Sequence, residues 1–561
     1  MMENQQAENG NTDWNALFAQ AVELLNQGKC ADALPIYELL IKQFPEHAGL
    51  WVYYGSAVLR AGRLEDSLAA YDHSLSIDDR QFNVYSNRAV ALKELKRYAE
   101  SVASCDKAIL LKPDYIQAYV NKGNALQAMA SCREALQNYD QAIAIQAQSA
   151  DAWLGRAVAL HELKRFEESL NCYAQLLTQF PGFPEAHTNR GNLLQDLKRF
   201  SEAVADYDQA IAINPKDAIS YANRANALAE LMRLNEAVSS YDQAIALKPD
   251  YVDAYTNKAQ LLLLMGDYEQ GWPLYEWRFK NSNLKTLYRE YQVSPYQSQD
   301  LRGKTILIHS EQGLGDTIQY CRYGKLLADQ GAKVILETLA PLVLLMKTLD
   351  ARIKVIEMGR ETAEFDYQCP LLSLPMQLHC NLKNIPAWPA YLKTDAQKSQ
   401  IWRQRLGPKK SFRIGLAWSG ASAHKNDRNR SIALAQFAGI LALPLEFHCL
   451  QQEIRAYDMP VLAQQNNLHE HCQFLNDFTD TAALIEQMDL VISVDTSIAH
   501  LAGALGKQTW VLLSYFPDYR WLLERSDSPW YPSVSLFRQD ASRDWRKVIT
   551  EAGRSLESYT N

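Results

Sequence analysis

An aromatic or histidine side chain returns every 34 residues, at Trp51, Tyr85, Tyr119, Trp153, His187, Tyr221 and Tyr255. Four positions after each stands a small residue: Gly55, Ala89, Gly123, Ala157, Gly191, Ala225 and Ala259. A second ring keeps the same period at Tyr37, Tyr71, Tyr139, Tyr173, Tyr207, Tyr241 and Tyr275, with Cys105 in the one gap. Pro45, Pro113, Pro181, Pro215 and Pro249 close units, and Asp79 and Ala147 fill the same slot elsewhere. A period that never slips restricts this region to a stack of like units. Each is one supersecondary element too small to bury its apolar face alone, so its neighbours supply the core. The rings and small residues are therefore packing residues, and the array is a scaffold rather than a catalyst.

The pattern of bulky residue, small residue, second ring and closing proline resembles the tetratricopeptide repeat over residues 14–285, about eight units. Residues 1–13 read as a disordered tail. The resemblance implies an all-α solenoid of helical hairpins. One column is not explained by packing. Asn87, Asn121, Asn189, Asn223 and Asn257 share a slot two residues after the first aromatic, and Gly155 interrupts the series. Asparagine is a poor helix former that offers both a donor and an acceptor. In this repeat the slot faces the concave surface, and a similar ladder occurs in the repeat arm of the nucleocytoplasmic O-GlcNAc transferases. The resemblance implies a protein or peptide partner along that ladder; the alternative is hydrogen bonding between neighbouring helices only. The last unit, Gly271 to Phe279, carries extra tryptophans at Trp272 and Trp277, which suggests a cap docked on the next domain. Residues 286–300 read as a linker.

From Gly303 the periodicity changes. Lys304–His309, Lys333–Glu337 and Arg352–Ile356 read as strands between helical segments. After a polar stretch the pattern restarts with Arg413–Trp418, Glu446–Leu450, Leu490–Val494 and Thr509–Leu513. Strands alternating with helices predict two Rossmann-like α/β halves, 301–400 and 411–561, facing each other across a cleft at the carboxyl ends of their strands. Two strand-to-helix turns carry the chemistry. Gly313-Leu-Gly-Asp316 follows the first strand, and Asp495-Thr-Ser-Ile-Ala-His500 follows the strand ending at Val494. Turns of this kind aim backbone N–H groups and the positive end of a helix at a phosphate.

Both motifs, in this order and in opposite halves, resemble the heptosyltransferase group of GT-B glycosyltransferases, as does Phe478–Ile485. The resemblance implies transfer of a sugar from a nucleotide-diphospho sugar to an acceptor hydroxyl, metal-independent and inverting if attack is direct. Asp316 matches the position of the family's proposed general base, with Gly313 and Gly315 in the acceptor-side loop. On the donor side stand Asp495, Thr496, Ser497 and His500. The loop after Trp418 adds Ser419, Lys425 and Arg430, with Arg430 in the place where heptosyltransferases present a lysine. The aromatic stretch Tyr519–Pro532 walls the donor pocket or packs on the other half, and the final helix, Trp545–Ser558, is expected to cross back to the first half.

At 561 residues the chain exceeds one core, and its 22% charged and 47% apolar composition is that of a globular protein. A formal charge of −8 and no basic run argue against nucleic acid. No apolar run is long enough for a bilayer span, and residues 1–10 lack the features of a secretory signal. Nine scattered cysteines without zinc spacing fit reduced thiols in a cytoplasmic protein and argue against metal binding by cysteine, and the resemblance implies no metal and no cofactor beyond the donor substrate. The rival function is an interaction scaffold whose α/β module binds a nucleotide or a partner without turnover.

Overall fold

The computed structural model describes residues 2–281, 293–311, 313–360, 364–423 and 426–559, with side chains from Trp14 onward. The chain packs as two compact units, Met1–Ala227 and Leu228–Asn561. The first helix spans Met2–Asn26 and so runs through the stretch expected as a tail.

In the first unit, 13-residue helices such as Phe82–Glu94 alternate with 14-residue helices such as Tyr98–Leu111. The small residues are where the two helices of a hairpin meet. A Cβ added to Gly55, Gly123 or Gly191 would strike the ring of Tyr71, Tyr139 or Tyr207 at 2.7 Å or less. Tyr139 also explains the break in the asparagine column, because a Cβ at Gly155 would lie 2.4 Å from its ring. The turn inside each hairpin holds a residue at positive φ in register with the repeat: Gly28, Gly62, Lys96, Ala130, Lys164 and Lys198. Arg97 N–H donates back to Leu92 O (2.8 Å), the helix-ending bond such a left-handed residue permits.

The second unit begins with the last helices of the array and continues into two parallel sheets. The first contains β1 (Thr305–His309), β2 (Lys333–Thr338), β3 (Lys354–Glu357) and β4 (Tyr367–Pro370) in the order β3-β2-β1-β4. The second contains β5 (Arg413–Ala417), β6 (Glu446–Cys449), β7 (Leu468–His469), β8 (Leu490–Val494), β9 (Thr509–Leu513) and β10 (Val534–Arg538). Its order, β10-β9-β8-β5-β6-β7, is doubly wound, with the direction of winding reversing between β5 and β8. β5, β8 and β9 are buried along their whole length, which is why they read as continuous apolar runs. β4 and the two-residue β7 have no such run, and β10 alternates, so sequence pattern passed over all three.

Of the connection expected at 286–300, the part up to residue 292 lies outside the described residues. Beyond it, Tyr296 N–H donates to Gln368 O (2.8 Å), so the chain enters the α/β region along the edge of β4. Trp272 is buried and donates to Cys380 O (3.2 Å), docking the last repeat on the first half. Trp277 stacks instead on Tyr255 of the array, 3.6 Å between centroids. The final helix, Trp545–Glu557, does not cross to the first half. Its apolar face, Val548, Ile549, Ala552 and Leu556, packs into the second half's own core with Phe437 and Ile440. Among the described residues no helix is long and apolar enough to cross a membrane.

Candidate active site

Each sheet reverses its strand order once, and the motif turns stand at those points. In open parallel sheets this is where a crevice forms outside the carboxyl ends. From β1 the chain turns through Ser310 and Gly313 into the helix Leu314–Tyr320. From β8 it turns at Asp495 and Thr496 into the helix Ser497–Ala504. The two helices meet directly. A Cβ on Gly315 would lie 3.0 Å from the His500 ring and 3.5 Å from the Ser497 Cα, so glycine is what lets them approach. Gly313 is the N-cap of the first helix.

Asp316 stands at the third position of that helix, one Oδ accepting from Gly313 N–H (3.1 Å) and the other from Arg520 Nη2 (2.5 Å). It is thus a helix-capping carboxylate and half of an ion pair between the two halves. Its side chain is 18% exposed, and burial raises its pKa against the opposing charge of Arg520.

In the second half the loop after β5 is built rather than loose. Gln451 Oε1 accepts from Trp418 and Ser419 N–H, and its Nε2 donates to Ser419 Oγ (3.0 Å). Asp427 takes Arg455 at 2.5 Å and the Ser431 hydroxyl at 2.7 Å. This frame carries Arg430, whose Nη1 donates to the Asp495 carbonyl (2.9 Å) and whose guanidinium lies where a Gly420 side chain would be. Lys425 lies outside the described residues. Asp495 is raised to about 6, chiefly by burial and then by the charge of Asp518. Thr496 is buried, its hydroxyl 3.3 Å from Ser493 Oγ, and Ser497 opens the helix half-buried. His500 is packed away: its Nδ1 meets the Tyr531 hydroxyl at 2.9 Å, and its ring stacks on Trp521. Burial holds it neutral, well below the ordinary imidazole pKa.

The structure therefore brings the turn of Asp316 against that of Asp495, Thr496, Ser497 and His500, with Arg430 on the Asp495 carbonyl and Ser419 in the loop that carries Arg430. Three participants escaped sequence reasoning. Arg520 sits in the aromatic stretch and Asp518 just before it, where nothing local marks them. Arg278, in the last repeat, forms a buried bidentate pair with Glu311 (2.9 and 3.1 Å), and Glu311 also accepts Leu372 N–H. Between them they fix the loop that leads to Asp316. Of the two roles left open for the aromatic stretch, the structure shows the packing on the first half. Tyr519 hydrogen-bonds Tyr320 of the first half (3.0 Å), while Trp521 and Tyr531 hold His500. Among the described residues no group of three or more His, Cys, Asp or Glu is arranged to hold a metal ion, and the nine cysteines are free thiols.

In the array, Asn121 is buried and donates to Ser86 Oγ (2.9 Å), and Asn223 donates to Asn192 Oδ1 (2.9 Å). Asn87 and Asn189 are half-buried, as is Asn257 of the second unit. A depression of about 400 Å³ in the first unit is lined by Gln117, Val120, Asn124, Gln127, Leu154 and Gly155 among others. Asn124, one turn from the ladder, is the asparagine that lines it.

Tetratricopeptide repeat families match residues 18–82, 82–115, 132–193, 184–217, 206–239 and 233–266. Glycosyltransferase family 9 (heptosyltransferase) matches residues 475–537, from the helix before β8 to β10. Protein FlbA of Caulobacter vibrioides is 25% identical over 335 residues, 53% of this chain and 54% of FlbA. The chain thus spans about half the length of that curated relative. A tetratricopeptide repeat protein of Parabacteroides merdae covers 45% of this chain and 99% of its own, at 17% identity and a TM-score of 0.39. A thermophilic repeat protein of Thermus thermophilus covers 32% and 99%, at 20% identity and a TM-score of 0.30.

Proposed function

We propose that this chain, which joins tetratricopeptide repeats to a glycosyltransferase family 9 segment, is a GT-B glycosyltransferase that moves a sugar from a nucleotide-diphospho sugar to a protein hydroxyl. The observation that carries this is the meeting of a carboxylate from one half with an arginine and a helix N-terminus from the other, at the points where both sheets reverse. Transfer needs a base for the acceptor proton and a positive field for the leaving diphosphate. Asp316 takes the proton; burial raises its affinity for one. Arg430 and the N–H groups opening the helix Ser497–Ala504 meet the diphosphate. Asp495, near neutral in pKa, and Ser419 orient the donor. Direct attack inverts the anomeric carbon, and no metal is required for charge that arginine and backbone N–H groups neutralise. The array docks the acceptor, with the depression at Asn124 and Gly155 as one contact.

The test is calorimetric binding of the full chain against nucleoside diphosphates and nucleotide sugars, with Arg430→Ala beside wild type. One diphosphate bound selectively, and at least about tenfold more weakly by the variant, supports the donor site. Asp316→Asn should bind at least as tightly as wild type and lose product by about 10²–10⁴. Silence across the whole panel moves the chain to the scaffold class.

A further inference from the structure

Arg520 occupies an unusual place in the crevice. It follows β9 in the turn Tyr519–Trp521, and its side chain is 10% exposed. Asp518 fixes it from the second half, accepting Arg520 N–H (3.0 Å) and Nη1 (2.8 Å). From the first half Asp316 accepts Nη2. The Tyr519 ring lies 4.4 Å from the guanidinium carbon, and that of Tyr320 5.7 Å. Its Nε–H is buried and donates to nothing among the described residues. A guanidinium presents five donors in a planar fork that suits a phosphate, and here two are engaged by carboxylates.

Two requirements of the transferase reading, on which this inference rests, then collide at one residue. Asp316 gives one oxygen to Arg520 Nη2 and the other to Gly313 N–H, so the first must be released before it can take the acceptor proton. A diphosphate entering beside Asp316, Asp495 and Asp518 needs more positive charge than Arg430 alone supplies. We propose that Arg520 serves both needs by exchange: it holds Asp316 while the crevice is without donor, and transfers its fork to the diphosphate when the donor binds. In the step that follows, the acceptor O–H proton goes to the freed Asp316 oxygen and the acceptor oxygen bonds to the anomeric carbon. The anomeric C–O bond to phosphate breaks, and its electron pair leaves on the diphosphate paired to Arg520. Asp518 stays as the anchor that keeps the guanidinium within reach of both anions.

Exchange makes an unusual demand, that deleting a carboxylate charge should strengthen anion binding. Inorganic pyrophosphate is the probe, titrated calorimetrically into the full chain. Asp316→Asn should bind it several-fold more tightly than wild type, because Arg520 no longer has a charged competitor. Lost repulsion alone predicts an equal gain from Asp316→Asn in the Arg520→Lys background, where exchange, which needs the planar fork, predicts a smaller one. Arg520→Gln should bind at least about tenfold more weakly, and Arg520→Lys, which keeps charge but not the fork, should fall between. If Arg520→Gln fails to fold, the other two variants still decide. Equal affinity in Asp316→Asn and wild type overturns the exchange. So does loss of binding in Arg430→Ala with none in Arg520→Gln, an outcome that leaves the transferase reading standing. A wild-type protein that binds no pyrophosphate sinks both.

Discussion

Some arginine–carboxylate pairs recur along the repeats and others stand singly around the two strand-to-helix turns, and the two sets are different objects. In the repeats, Arg97–Glu100, Arg165–Glu168 and Arg199–Glu202 recur in register, three residues apart, with each side chain 40–57% exposed. Arg278–Glu311, between the last repeat and the β1 loop, and Arg520–Asp316, between the two α/β halves, occur once each, and neither arginine is more than 10% exposed. An exposed pair exchanges water for a partner at little gain. A buried pair gives up hydration on both sides and persists only where geometry and further hydrogen bonds compensate. The repeated pairs belong to the scaffold. The solitary ones fix the loop and the carboxylate on which the proposed chemistry depends.

The largest expected effect comes from breaking the tie between the last repeat and the β1 loop. Arg278→Met leaves Glu311 buried without its cation and should cost about 3–5 kcal/mol in chemical denaturation. Adding Glu311→Leu should recover most of it; if the double variant is as unstable as the single, the loss lies elsewhere than in the stranded charge.

Asp495 tests the same contrast by pH. Burial favours its protonated form, so its pKa rises from 3.8 to about 6 on folding. Between those values the folded state holds a proton that the unfolded state has lost. Stability therefore falls as pH rises through this window, and the deficit is complete above about 6. Asp495→Asn should stabilise the protein at pH 8 by up to about 3 kcal/mol and do nothing below pH 4. Melting curves at both pH values check this; a variant gain independent of pH would be fatal to the assignment.

In the array, Gly123→Ala drives a methyl into the Tyr139 ring, 2.6 Å away, and should cost about 1–3 kcal/mol. Arg165→Ala, at an exposed pair, should leave the melting temperature unchanged within error. A clear drop there would erase the distinction between repeated and solitary pairs.

Much of the fold was legible because its signals are local. The 34-residue period, the buried runs of β5, β8 and β9, and the two turn motifs each reside in a short segment. So do Asp316 and Asp495, which belong to turns whose geometry follows from their neighbours in sequence. Arg430 was legible through the loop it shares with Ser419. Arg520 was not, because its meaning lies in a partner 204 residues away. The residues before it predict only an aromatic turn. The asparagine column was visible, yet its surroundings were not: Asn121 turns to Ser86, and Tyr139 excludes any side chain at Gly155.

The sequence by itself determined a repeat array followed by two α/β halves, and where the strand-to-helix turns of Asp316 and Asp495 would fall, because periodicity and capping act within a few residues. Only the tertiary structure decided which charges meet. Coulomb energy and desolvation depend on distance and burial across the chain, and neither is written in the spacing of residues along it.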